Sequence, residues 1–260
     1  MHLYWEKHGE GPPLLYFNGT GGDLRKKPNV FDWPLVRHFE VLAHDQRGLG
    51  RSDKPDVAYS MRDYADDGAA LLDEVGWPTC RVVGVSFGGM VAQEFAVRHP
   101  ERVERLVLCC TSSGGAGLPS YPLHELADLP LEERIRTMIR LSDNRCDEAW
   151  EVAHADELEA MMDLQRVAAA VGTAETDHDR GSRRQLEARR GHDTYDRLPT
   201  VTAPTLVCAG RFDGIAPLPN SEALAARIPG ARLEVFEGGH LFMLQDARAW
   251  PTIISFLQGD

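Results

Sequence analysis

Short apolar runs recur along the 260-residue chain at residues 14–17, 39–43, 81–85, 105–110, 205–209 and 233–236. Each is long enough for one strand and too short for a buried helix. Only Glu40, Arg81, Arg105 and Glu234 put a charge in them, so both faces of most of these strands must be covered. A mostly parallel sheet with helices on both sides satisfies that demand. The intervening stretches agree. Residues 60–75 read as a helix with Ser60 as N-cap and Tyr64, Leu71, Leu72 and Val75 as its apolar stripe. Residues 88–98 read as a second helix that stops before Pro100, and residues 250–257 as a closing helix.

One stretch breaks the rhythm. Residues 118–198 hold no good strand, only helical periodicity and charge, so the chain divides into a core of residues 1–117 and 199–260 with a helical cap inserted between them. Within the cap, residues 147–163 carry seven acidic side chains and no Lys or Arg, and residues 180–190 carry five Arg against one Glu. Both blocks are read as solvated helix faces.

Composition limits the partners and the compartment. The net charge is −12, and a polyanion gains nothing by releasing counter-ions from another, so nucleic acid is not expected as a partner. No apolar run approaches the ~18 residues of a membrane span, and the N-terminal stretch does not read as a signal peptide. The five cysteines are odd in number and include no C-x-x-C pair. They are read as reduced buried thiols, with Cys109 and Cys110 on opposite faces of their strand. A cytoplasmic protein is expected. The oligomeric state is not readable.

The chemistry is carried by Gly84-Val85-Ser86-Phe87-Gly88, a G-x-S-x-G between an expected strand and an expected helix. Such a turn lifts the serine hydroxyl clear of the sheet at a helix N-terminus, where the dipole favours developing negative charge. Serine needs a base to become a nucleophile. Of ten histidines, His240 stands on a glycine turn directly after a strand, within reach of the sheet's top. His99 is read as a helix end, His44 as a loop hydrogen-bonder, and His154, His178 and His192 as cap surface. The base in turn needs an orienting carboxylate, and Asp213 follows the strand at 205–209. Asp246 is too close to His240 in the chain and is given a helix-surface role. The expected oxyanion donors are the backbone N–H groups of Phe87 and of Thr20, in the Gly-rich loop 18–22. No Lys-Ser/Thr follows that loop, so a phosphate cradle is excluded, and no cofactor motif or metal-ligand spacing is visible.

Together with Asp45-Gln46-Arg47-Gly48-Leu49-Gly50-Arg51-Ser52, which is similar to a D-x-R-G-x-G-x-S loop, these residues resemble the α/β-hydrolase superfamily over essentially the whole chain. Asn18-Gly19 stands where many members have His-Gly, and the single cap is most like the branch of 3-oxoadipate enol-lactonases and carboxylesterases. The resemblance implies a small carboxylic ester or lactone as substrate and structural roles for Asp45 and Arg47. Haloalkane dehalogenases and epoxide hydrolases place Asp where Ser86 stands and do not match. Cofactor-free perhydrolases and carbon–carbon bond hydrolases share the triad, and a ligand receptor on the same fold is the non-enzyme alternative. An acyl pocket between core and cap is expected from Phe87, Trp150, Met161, Met162, Phe242 and Met243, each of which also suits ordinary packing.

Overall fold

A computed structural model describes residues 1–259. Seven strands form one sheet in the order β1-β3-β2-β4-β5-β6-β7. They are β1 (Trp5–His8), β2 (Pro13–Phe17), β3 (Glu40–His44), β4 (Cys80–Val85), β5 (Val103–Cys109), β6 (Thr205–Gly210) and β7 (Arg232–Phe236). All neighbours pair in parallel except β1, which runs antiparallel to β3 at the edge. The expected runs all become strands, with ends moved by one or two residues. The strand β1 is the one the apolar pattern does not reveal. Its Trp-Glu-Lys-His is half exposed, as an edge strand with a charged face should be.

Successive residues of β2 feed opposite sides of the sheet. Leu15 and Phe17 enter a core layer with Tyr64, Phe87 and Phe95, and Leu14 and Tyr16 enter the other with Phe39, Phe236 and Phe242. The first layer is roofed by α1 (Met61–Val75) and α2 (Phe87–Arg98), and the second by the closing helix Ala249–Gln258. Ser60 caps α1 as expected: its hydroxyl accepts from the Asp63 N–H while the Asp63 carboxylate accepts from the Ser60 N–H, and Gly76 at φ 73° ends the helix. Fully buried Phe17 lies against Phe95 with ring centroids 5.7 Å apart, and truncating such a residue costs about 3–5 kcal/mol.

All five cysteines are buried and free. Cys109 and Cys110 do not face opposite sides, however. Cys110 lies past the end of β5 with φ 43°, and this reversal brings both thiols into the same apolar layer.

Between β5 and β6 the chain forms α3 (Leu131–Ser142), α4 (Glu148–Ala153), α5 (Ala155–Ala170) and α6 (His178–Arg190). Ile135, Ile139, Cys146, Leu158 and Met162 form an apolar cluster of their own, with Trp150 and Met161 against it. Most of the acidic block is solvated, but Glu151 is not. It is buried and accepts from Arg136 (2.8 Å) and Arg140 (2.6 Å), with Arg140 foremost in holding its carboxyl below the usual range. The basic block also turns one residue inward, Arg189. Among the described residues, no helix is long and apolar enough to cross a membrane.

Candidate active site

The carboxyl edge of the parallel strands, where open α/β sheets hold their ligands, collects the residues singled out above. Ser86 follows β4, Asp213 follows β6 and His240 follows β7. Ser86 has φ 56° and ψ −117°, a backbone conformation that L-residues rarely adopt. Its neighbours must be glycines for a steric reason: a Cβ on Gly88 would run into the Phe17 carbonyl, and one on Gly84 into the Gly88 carbonyl. The elbow is tied from below by the Ser86 N–H donating to the Cys109 carbonyl (2.9 Å) and the Thr111 hydroxyl donating to the Ser86 carbonyl (2.8 Å).

His240 donates from its backbone N–H to the Ser142 carbonyl, which fixes the glycine turn. Its Nδ1 lies 2.8 Å from Asp213 Oδ2. The other Asp213 oxygen accepts from the N–H groups of Ile215 (2.8 Å) and Ala216 (2.9 Å). A carboxylate can only accept, so Nδ1 carries the proton and Nε2 keeps a free lone pair. The three residues are nearly buried, at 9%, 2% and 7% exposure for Ser86, Asp213 and His240. Burial first, then the Asp213 charge, pushes the Cys110 thiol well up.

Loop 18–22 lies against the serine, since a Cβ on Gly19 would stand 3.6 Å from Ser86 Cβ. The loop is held by residues that the sequence did not single out. The Gly21 N–H donates to Gln185 Oε1 (2.8 Å), Gln185 donates to Gln46 Oε1 (3.1 Å), and Gln46 donates to the Asn18 carbonyl (2.9 Å). The buried glutamine of α6 thus reaches the loop beside Ser86. Only Gln46 carried a signal, its place inside the D-x-R-G-x-G-x-S stretch.

The remaining assignments divide. Asp45 is fully buried and accepts from the N–H groups of Leu24 and Arg51, and Arg47 forms a two-pronged pair with Asp67, so both are structural. Asp246 is kept from His240 as expected, but it holds a turn and not a helix surface. It accepts from the Glu237 and Arg248 N–H groups, and the Arg248 side chain holds its carboxyl far below the usual range. His44 and His192 are corrections. Both are buried, and burial pushes each down to about 4, so neither is a loop or surface group. His44 Nδ1 has no partner at all.

The residues expected to line an acyl pocket fall in three apolar clusters. Trp150, Met161 and Met162 pack with the helices between β5 and β6, Phe242 and Met243 lie in one core layer, and Phe87 lies in the other. Phe242 stacks on Phe236 at 4.9 Å. Apolar type alone cannot tell a pocket wall from a core position. Among the described residues, no three His, Cys, Asp or Glu side chains come together as a metal-ligand set.

A positive-φ serine at a strand–helix elbow, with a histidine–carboxylate pair two and three strands along the same edge, marks out a class of hydrolases. A family model described as alpha/beta hydrolase fold matches residues 12–247. The chain belongs to that family, and it is a hydrolase. It is 34% identical over 257 residues to a poly(3-hydroxyalkanoate) depolymerase of Ectopseudomonas oleovorans, spanning 95% of this chain and 84% of that protein. Among solved structures it resembles Est816, described as an N-acyl homoserine lactone degrading enzyme, at 26% identity and a TM-score of 0.70 over 98% of this chain and 96% of that one. The enol-lactonase of Burkholderia xenovorans LB400 shares the fold, with a TM-score of 0.77 over 99% and 96% of the two chains at 24% identity.

Proposed function

We propose that the chain is a serine hydrolase that cleaves a small carboxylic ester or lactone through an acyl-enzyme on Ser86. The observation that carries this reading is the buried Nδ1–carboxylate bond between His240 and Asp213, which leaves Nε2 unprotonated at the edge where the strained Ser86 stands. In the proposed cycle His240 takes the hydroxyl proton as Ser86 attacks the carbonyl carbon, and Asp213 stabilises the imidazolium. The N–H groups of Phe87 and Thr20 receive the oxyanion. Each such donor is worth about 10²–10³ in kcat. His240 then returns the proton to the leaving alcohol, which for a lactone stays tethered. A water deprotonated by the same ring releases the acid. Residues 118–198 act as the cap over this edge.

The names of the depolymerase and of Est816, a polyester and a lactone, support ester chemistry for this chain too. The test is a fluorophosphonate probe followed by peptide mapping, beside a panel of acyl esters and lactones assayed with wild type and Ser86→Ala. One label on the Ser86 peptide and loss of all turnover in the variant are expected. A label elsewhere, or turnover that survives Ser86→Ala, refutes the reading. A single burst of product without turnover assigns the fold to ligand reception instead.

A further inference from the structure

Between the loop that leaves β5 and the C-terminal end of α6 lies a cavity of about 160 Å³. Its walls include Met90, Ser112, His124, Arg189, Arg190 and His192. This lining runs against the composition of the chain. The sequence has 40 acidic against 28 basic residues, yet the cavity presents two arginines, two histidines and no carboxylate.

Arg189 is the anomaly at its centre. It is 6% exposed, and its guanidinium donates to the Tyr121 carbonyl (2.8 Å) and the Ser120 hydroxyl (2.7 Å), both neutral. Other inward-facing arginines have an acid opposite: Arg47 pairs with Asp67, and Arg197 with Glu94. Among the described residues Arg189 has none, and burial alone pulls it down to about 10, still charged at neutral pH. A buried cation without a counter-ion is costly unless something supplies one. Two groups of the lining that can donate also keep a buried polar atom without a partner among the described residues: Arg189 Nε and Ser112 Oγ. The cavity adjoins the elbow, because Met90 lies one helical turn past Ser86 and its N–H donates to the Ser86 carbonyl.

We propose that this cavity is a binding site for a small carboxylate, with Arg189 as its counter-ion. The planar fork of a guanidinium matches a carboxylate, and Met90 and the neighbouring prolines 119 and 122 offer an apolar wall to a short aliphatic chain. The anion is either the distal carboxylate of the substrate or a free short-chain acid.

The test is calorimetric titration of the full chain with butyrate, with butyramide as the neutral isostere and with sulfate. Butyrate should bind saturably, butyramide at least about tenfold more weakly, and Arg189→Gln should weaken butyrate by about tenfold or more. Glutamine ends near the level of the Arg189 Nε, so the variant removes the charge together with the bonds to Tyr121 and Ser120, and unchanged butyramide binding shows that the cavity itself is kept. If that variant does not fold, Arg190→Gln must weaken butyrate several-fold. Absent butyrate binding, equal binding of butyramide, sulfate binding as tight as butyrate, or affinity that neither variant moves overturns the proposal. A second arm rests on the ester reading, whereas the titration does not. In it, the ratio of kcat/KM for a glutarate monoester to that for a butyrate ester of the same alcohol is compared in wild type and Arg189→Gln. A ratio that falls about tenfold places the carboxylate on the substrate, and an unmoved ratio beside weakened butyrate binding assigns the cavity to a free acid.

Discussion

Asp213→Asn changes one atom of a buried side chain, and its surroundings dictate how the amide must sit. Asp213 Oδ1 accepts from two backbone N–H groups, at 2.8 Å from Ile215 and 2.9 Å from Ala216. An NH₂ placed there would face two donors and leave both orphaned, at about 1–3 kcal/mol each. The amide oxygen therefore keeps that position, and the NH₂ is forced toward His240 Nδ1. A donor now meets the ring, so Nδ1 must become the acceptor and the proton moves to Nε2. The base is lost without disturbing the fold. Loss of the correct tautomer is worth about 10⁴ in kcat in serine hydrolases of this logic. The assay is steady-state hydrolysis of an aryl butyrate by wild type, Asp213→Asn and Asp246→Asn, with thermal melting as the control for folding. Asp246→Asn should stay within about threefold of wild type, because its carboxylate holds a turn. A folded Asp213→Asn that keeps more than about a tenth of wild-type kcat would refute the triad.

The other predictions follow from the same geometry. Ser86→Gly and Ser86→Ala should both lose about 10⁴–10⁶ in kcat. Glycine accepts φ 56° freely, so Ser86→Gly should resist urea better than Ser86→Ala by about 1 kcal/mol; equal midpoints would show that the elbow is unstrained. Gln185→Leu removes the acceptor of the Gly21 N–H and should lower kcat about ten- to a hundredfold with little change in KM, so a kcat within twofold of wild type removes the glutamine from that role. Stability should also fall on mild acidification. The unfolded chain protonates His44 and His192 near 6.5, whereas the folded chain resists until about 4. Between those values each histidine costs up to about 1.4 kcal/mol per pH unit as pH drops. Urea unfolding from pH 7 to 5 measures this slope, and His44→Phe should flatten it by one proton; an identical slope would place the titration elsewhere.

What depends on neighbours along the chain could be read before the fold was known. A continuous apolar run needs cover on both faces wherever it sits, so the six parallel strands were readable. The strand β1 was not, because its Trp-Glu-Lys-His holds no apolar run to read. The elbow was legible for a local reason too: Gly84 and Gly88 are demanded by contacts within one turn of Ser86 and by the strand beside it. Asp213 and His240 were legible as candidates because each follows a strand of the same sheet. The rest is set by contacts between distant segments. Gln46 and Gln185 are 139 residues apart, and nothing local distinguishes Gln185 from a solvated glutamine until α6 docks on the core. His192 and Arg189 read as surface groups on a polar helix end, yet the docking of that helix buries both. Trp150, Met161 and Met162 show the converse, since an apolar side chain packs into whichever cluster closes nearest, here the cap's own. Local pattern fixes which backbone groups and apolar faces must be satisfied, while the packing of segments far apart in sequence settles which partners satisfy them.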